Sequence, residues 1–232
     1  MDIYQHPRRT ATATITTPAP NPGRVAVKPV RPLPMAVPDN VISQSAHRAI
    51  QRQQYDWALA LLDQLIDRHP QRAAYYSNRG LVQLWSGHHQ AALADCSRAI
   101  QLDASLDQAY NNRASCYVAL GQKMKAVDDY EQAIDLNPFN IKARINLGIT
   151  LRDLGNWDGA LAQFEEALIF HQLPDFVYAE RGRTYHLRGD WNCAIADYQR
   201  ALTAASLEPS SLQRQHMIER VQRWTAALLP AA

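Results

Sequence analysis

The sequence predicts an all-α solenoid: five stacked helix–turn–helix repeats, a closing helix, and a proline-rich tail in front. Three observations carry that expectation. From Asp39 onward apolar residues fall at helical spacing. The pattern returns in register every 34 residues with no insertion. Stretches such as "AYNNRASCYVALGQKMKAVDDYEQAIDLNP" (109–138) put Ala and Gly on faces where a core helix would usually carry Leu.

The first element is the tail. Residues 1–38 hold eight of the thirteen prolines and show no apolar period. Proline removes backbone donors and breaks helix interiors, so this segment is expected to be disordered or locally polyproline II. It also carries Arg8, Arg9, Arg24, Lys28 and Arg31 against Asp2 alone. The whole 232-residue chain has a formal charge of only +2, so a mildly acidic body follows a basic tail.

The repeats come next, as windows 39–72, 73–106, 107–140, 141–174 and 175–208, together spanning 39–208. Position 20 holds Ala58, Ala92, Ala126, Ala160 and Ala194. Position 8 holds Ala46, Gly80, Ala114, Gly148 and Gly182, and position 27 Leu65, Ala99, Ala133, Ala167 and Ala201. Position 24 supplies larger partners: Leu62, Cys96, Tyr130, Phe164 and Tyr198. Small residues at a helix crossing let two backbones approach closely while a large side chain fills the flank. A glycine inside a helix costs about 1 kcal/mol against alanine, so its recurrence implies a contact with no room for a methyl group. Gly87, Gly121, Gly155 and Gly189 mark the turn within each pair, with Gln53 in that place in the first unit. Pro70 and Pro138 end two units, Ala104 stands at the matching place in another, and Pro174 and Pro209 are displaced.

A 34-residue unit with Gly or Ala at 8, Ala at 20, an aromatic at 24, Ala at 27 and Pro at 32 resembles the tetratricopeptide repeat. The resemblance covers about residues 39–208 and is strongest in "AYNNRASCYVALGQKMKAVDDYEQAIDLNP". It implies a right-handed α-α superhelix whose first helices line a concave groove, and a protein or peptide ligand rather than a small-molecule substrate. The first unit departs most, as a terminal repeat with one unpartnered face should.

The last element, 209–232, contains "SSLQRQHMIERVQRWTAALL". Leu212, Met217, Ile218, Val221, Trp224, Leu228 and Leu229 give it an apolar face, and Ser210 or Ser211 can cap its start. It is expected to cover the open end of the stack.

Several functions are argued against. Cys96, Cys116 and Cys193 are odd in number and far apart, without C-x-x-C, which fits reduced thiols and a cytoplasmic protein. No apolar run reaches membrane-spanning length, and the N-terminus lacks a secretory core. Its Arg- and Thr-containing, acid-poor character leaves an organellar transit peptide as the alternative address. His88–His89 lack further ligands for a metal. Asp128–Asp129 point in different directions and read as solvated charge. Cys96 sits in the large-residue core slot, and no Gly-rich phosphate loop is present. No enzyme, metal or cofactor is expected.

The family resemblance directs positions 2, 5, 6, 9, 12 and 13 of each first helix at the groove. Position 6 reads Asn78, Asn112, Asn146 and then Glu180, a row of amides able to pair with the backbone of an extended peptide. Leu81, Ile149 and above all Trp85 supply apolar contacts, and Lys142, Arg152 and Arg183 supply positive charge toward the later repeats. The partner-binding candidates are therefore Asn78, Leu81, Trp85, Asn112, Lys142, Asn146, Ile149 and Arg183. A carboxylate clamp of the kind used by co-chaperones of this fold would need Lys, Asn, Asn, Lys, Arg. Here Ser77, Leu81, Asn112, Lys142 and Asn146 match it at two places of five. The chain reads as an adaptor or scaffold, with assembly-factor and chaperone-like roles open. The alternative is a regulatory protein whose tail binds a partner, nucleic acid or its own weakly acidic groove. Five dispersed cations without interleaved aromatics make a poor nucleic-acid patch.

Overall fold

The structure is a computed structural model that describes residues 37–207 and 211–228. All but Val37 and Pro38 of the expected tail, together with Pro209, Ser210 and Leu229, therefore lie outside the described residues. Within them the chain is all-helical. The helices pair as α1 (Asp39–Gln51) with α2 (Tyr55–Arg68), α3 (Ala73–Trp85) with α4 (His89–Leu102), and α5 (Asp107–Ala119) with α6 (Lys123–Leu136). Then come α7 (Ile141–Asp153) with α8 (Trp157–Ile169), α9 (Pro174–Arg188) with α10 (Trp191–Ser206), and α11 (Leu212–Ala226). Four of the five repeats begin where the period places them. The last starts one residue early because Pro174 takes the first helical position, behind Leu173 at φ 51°.

The solenoid follows from how the pairs pack. Each second helix packs against both its own first helix and the next one. From α3 onward, successive first helices also touch, in the order α3–α5–α7–α9–α11, while no successive second helices pack comparably. First helices therefore lie on the inside of the curve and second helices on the outside. The small residues do what their register predicts: every position-20 and position-27 side chain is buried. A Cβ added to Gly148 would come within 2.7 Å of the Phe164 ring, which is why this helix accepts glycine at a cost.

A second repeating device was not foreseen. Position 7 of three repeats is Arg and position 23 is Asp, and the two form a bidentate clamp between paired helices. Arg79 donates to Asp95 at 2.7 Å through both Nε and Nη2, and Arg113 does the same to Asp129. Arg181 holds Asp197 at 2.7 and 3.0 Å. Each guanidinium also lies over a position-4 tyrosine, namely Tyr76, Tyr110 or Tyr178. This corrects the reading of Asp128–Asp129. Asp128 is solvated, but Asp129 is buried because it faces Arg113.

The turns obey one rule. Gly87, Gly121, Gly155 and Gly189 take φ between 75° and 98°, and Gln53 takes φ 56° at the same place without glycine's freedom. Asn140 and Asn156 cap α7 and α8 by accepting from Ala143 and Gly159 backbone N–H groups at 3.0 Å. Ser211 caps α11 by accepting from the Arg214 N–H at 3.2 Å.

Candidate protein-binding groove

The inner wall is built by α3, α5, α7 and α9, and the candidates on it do not share one environment. Asn78 is exposed. Asn112 is only 6% exposed and donates to the Ser77 carbonyl at 3.3 Å and to Ser77 Oγ at 3.0 Å. Asn146 is half-buried and donates to Asn111 Oδ1 at 3.2 Å, while Asn111 donates to Asn112 Oδ1 at 3.3 Å. The expected open row of amides is thus in part a ladder between helices. Position 6 of one repeat reaches back to position 5 of the one before it. Asn112 differs from Asn78 because α5 packs against α3, whereas α3 has no comparable contact with α1.

The apolar candidates stay on the wall. Leu81 and Ile149 are half-buried. Trp85 is half-buried against Tyr55 of the first repeat, with ring centroids 6.3 Å apart and planes tilted by 43°. Lys142 is exposed beside them on α7. By contrast Trp191 is 60% exposed at the start of α10.

Toward α9 the positive charge is spoken for. Arg152 is 3% exposed and donates to Glu180 Oε2 at 2.8 Å. Glu180 Oε1 accepts from Arg220 of α11 at 2.9 Å. Arg214 of α11 donates to the fully buried Asp175 at 2.6 Å. Burial would raise the Glu180 carboxyl, but the flanking Arg152 and Arg220 guanidiniums hold it below the ordinary glutamate value. Arg183 lies 5.1 Å from the Trp224 ring centroid, and Trp224 stacks on Tyr198 at 5.8 Å. Together with buried Met217 and Val221, these contacts make α11 cover the end of the wall. Arg183 is thus a seat for α11, which narrows the open groove to the span from α3 to α7. Of the carboxylates on the wall helices, Asp153, Asp175 and Glu180 are paired with cations, and Asp107 accepts from the Asn137 and Asn140 amides.

Register alone could have revealed the Arg–Asp clamps, since both residues recur 16 apart in three repeats. Nothing local could have revealed Arg214 or Arg220, whose partners lie 39 and 40 residues away. Among the described residues no group of three His, Cys, Asp or Glu side chains is placed to hold a metal ion. No described helix is long and apolar enough to cross a membrane.

A right-handed stack of helix pairs with an inner wall of first helices defines a repeat scaffold of the kind that binds other proteins. Profiles described as "Tetratricopeptide repeat" match residues 44–107, 108–140 and 141–172. The chain belongs to the tetratricopeptide repeat family. A mouse protein named "WD and tetratricopeptide repeats protein 1" is 35% identical over 65 residues, 27% of this chain and 10% of that protein. The matched segment is thus a small part of its relative. Among solved structures, a thermophilic TPR protein of Thermus thermophilus superposes with a TM-score of 0.70 at 21% identity, over 82% of this chain and 99% of that one. The APC/C hetero-tetramer Cut9-Hcn1 gives 0.67 at 19% identity, over 81% of this chain and 36% of the other. These likenesses concern the fold.

Proposed function

We propose that the protein is a non-enzymatic adaptor that seats a segment of a partner protein on the wall from α3 to α7. The observation that carries this reading is the set of side chains left open there: Asn78, Leu81, Trp85, Lys142, Asn146 and Ile149. Leu81, Trp85 and Ile149 give a half-buried apolar floor, and a tryptophan of this kind is the usual anchor of a binding hot spot. Asn78 offers a donor and an acceptor to a partner backbone, and Lys142 favours a carboxylate opposite α7. Asn112 and Arg183 act behind this surface, one holding α5 to α3 and the other seating α11.

The test is a paired affinity capture from lysate of the source cells. Wild-type bait is compared with bait carrying Asn78→Ala, Leu81→Ser, Trp85→Ala and Ile149→Ser, after circular dichroism has shown equal helicity. Partners recovered only by wild type support the groove and name its ligand. The same partners on both baits would remove the groove from consideration.

A further inference from the structure

Charge is divided between the two sides of this solenoid. On the inner wall Asp153, Asp175 and Glu180 are paired with cations, and Lys142 stands free of any ion pair among the described residues. On the outer helices Asp67, Asp128, Glu131, Asp135 and Glu165 are exposed and take part in no ion pair among the described residues, against two cations in the same condition, Arg98 and Lys125. The same edge exposes large apolar groups. Phe139 is 66% exposed and meets Phe170 edge-on at 5.3 Å, and Ile169 is 71% exposed. Exposed apolar groups beside an excess of carboxylates suit a ligand that is basic and apolar at once.

The chain itself holds such a segment, and it leaves the fold at this edge. Arg68, at the end of α2, donates to the Val37 carbonyl at 2.7 Å and to Asp39 at 2.8 Å, and His69 holds Asp39 at 2.5 Å. The root of the segment is thereby fixed beside the ends of the outer helices. Immediately before it runs "RVAVKPVRPLPMA", residues 24–36, with Arg24, Lys28 and Arg31 and no acid. We infer that residues 24–36 dock along the outer edge of their own solenoid, with the cations over Asp67, Glu131, Asp135 and Glu165 and the apolar residues over Phe139 and Ile169.

Reach agrees with this placement. Touching helices sit about 8–10 Å apart and successive outer helices are spaced wider, so the α6 end lies more than about 20 Å and the α8 end more than about 30 Å from the α2 end. A Pro-rich extended chain advances about 3.1 Å per residue, which carries Lys28 about 28 Å and Arg24 about 40 Å from Val37. The groove is the poorer seat for the segment, since Asp153 and Glu180 on its wall are already held by cations.

Pulsed electron–electron distance measurement on the full chain tests the inference. Nitroxides are placed at Ala26→Cys and at Gln101→Cys, at the end of α4, in a Cys193→Ser background; Cys96 and Cys116 are buried. A docked segment gives a distance distribution about twofold narrower than an unattached Pro-rich linker would. Glu131→Lys with Asp135→Lys, or Phe139→Ser, should broaden it, and Trp85→Ala should not. A distribution that is broad from the start and indifferent to these substitutions overturns the inference. So does one that broadens only with Trp85→Ala, which would place the segment in the groove. A signal lost on dilution with unlabelled chain would assign the contact to a second copy and overturn it too. None of these outcomes touches the groove's claim on a partner, which the capture experiment reads separately.

Discussion

The inner helices are joined in two chemically different ways. Between α3, α5 and α7 the links are uncharged: Asn112 to Ser77, and Asn146 to Asn111. Between α7, α9 and α11 they are ionic: Arg152 and Arg220 on Glu180, and Arg214 on Asp175. The same repeat position supplies Asn in one region and Glu in the other. Removing an amide costs about one hydrogen bond, whereas removing one partner of a buried ion pair strands a charge. The difference teaches that the middle of the wall tolerates change and the end near α11 does not.

The largest expected effect sharpens that contrast. Glu180→Ala leaves the buried Arg152 with only the distant Asp153 carboxylate, 3.7 Å away, and should cost about 3–5 kcal/mol, read as a lowered urea midpoint of the full chain. A loss of about 1 kcal/mol or less would show the junction to be solvated and the contrast to be false. The junction also carries an acid dependence. Because the folded Glu180 carboxyl lies below its unfolded value, its stabilisation is complete above the ordinary glutamate range and is lost as pH falls through the folded value. Glu180→Gln should flatten the acid limb of the pH–stability profile, and a limb that keeps its slope in that variant would assign the effect elsewhere.

Next in size is Gly148→Ala, which belongs to the packing shared by both regions. The new methyl meets the Phe164 ring, and about 1–3 kcal/mol of thermal or urea stability should go. Asn112→Ala should cost about 1–2 kcal/mol, less than Glu180→Ala in the same assay. If the two costs come out equal, the uncharged and ionic links are equivalent and the comparison collapses. The smallest effect is a gain. Gln53→Gly relieves a left-handed residue and should raise stability by about 0.5 kcal/mol, visible as a slightly later midpoint.

How much of this was legible in the sequence follows the range of the interactions. Ala58 through Ala194 in register disclosed the period, the helix pairs and the buried faces, because packing within a repeat is encoded at fixed spacing. The Arg79–Asp95 clamp was legible in the same way and was overlooked, since Asp129 by itself looked like surface charge. Asn78 and Asn112 are identical in register yet differ in burial, because α5 packs on α3 while α3 has no comparable inner neighbour in α1. The seat of α11 on Asp175 and Glu180 depends on contacts some 40 residues apart, which no periodicity announces.

The outward side of α11 has one more consequence. A repeat array in which every unit exposes the surface its successor needs would add further chains head to tail and grow into an open fibre. Here the last inner helix turns Gln213, His216, Gln222 and Arg223 outward, all exposed, and keeps Met217 and Val221 for the chain behind it. A second molecule's first helix would find polar, hydrated groups there and little apolar area to gain. Among the described residues, α11 thus gives the stack a mostly polar end, with Leu212 its one large exposed apolar side chain.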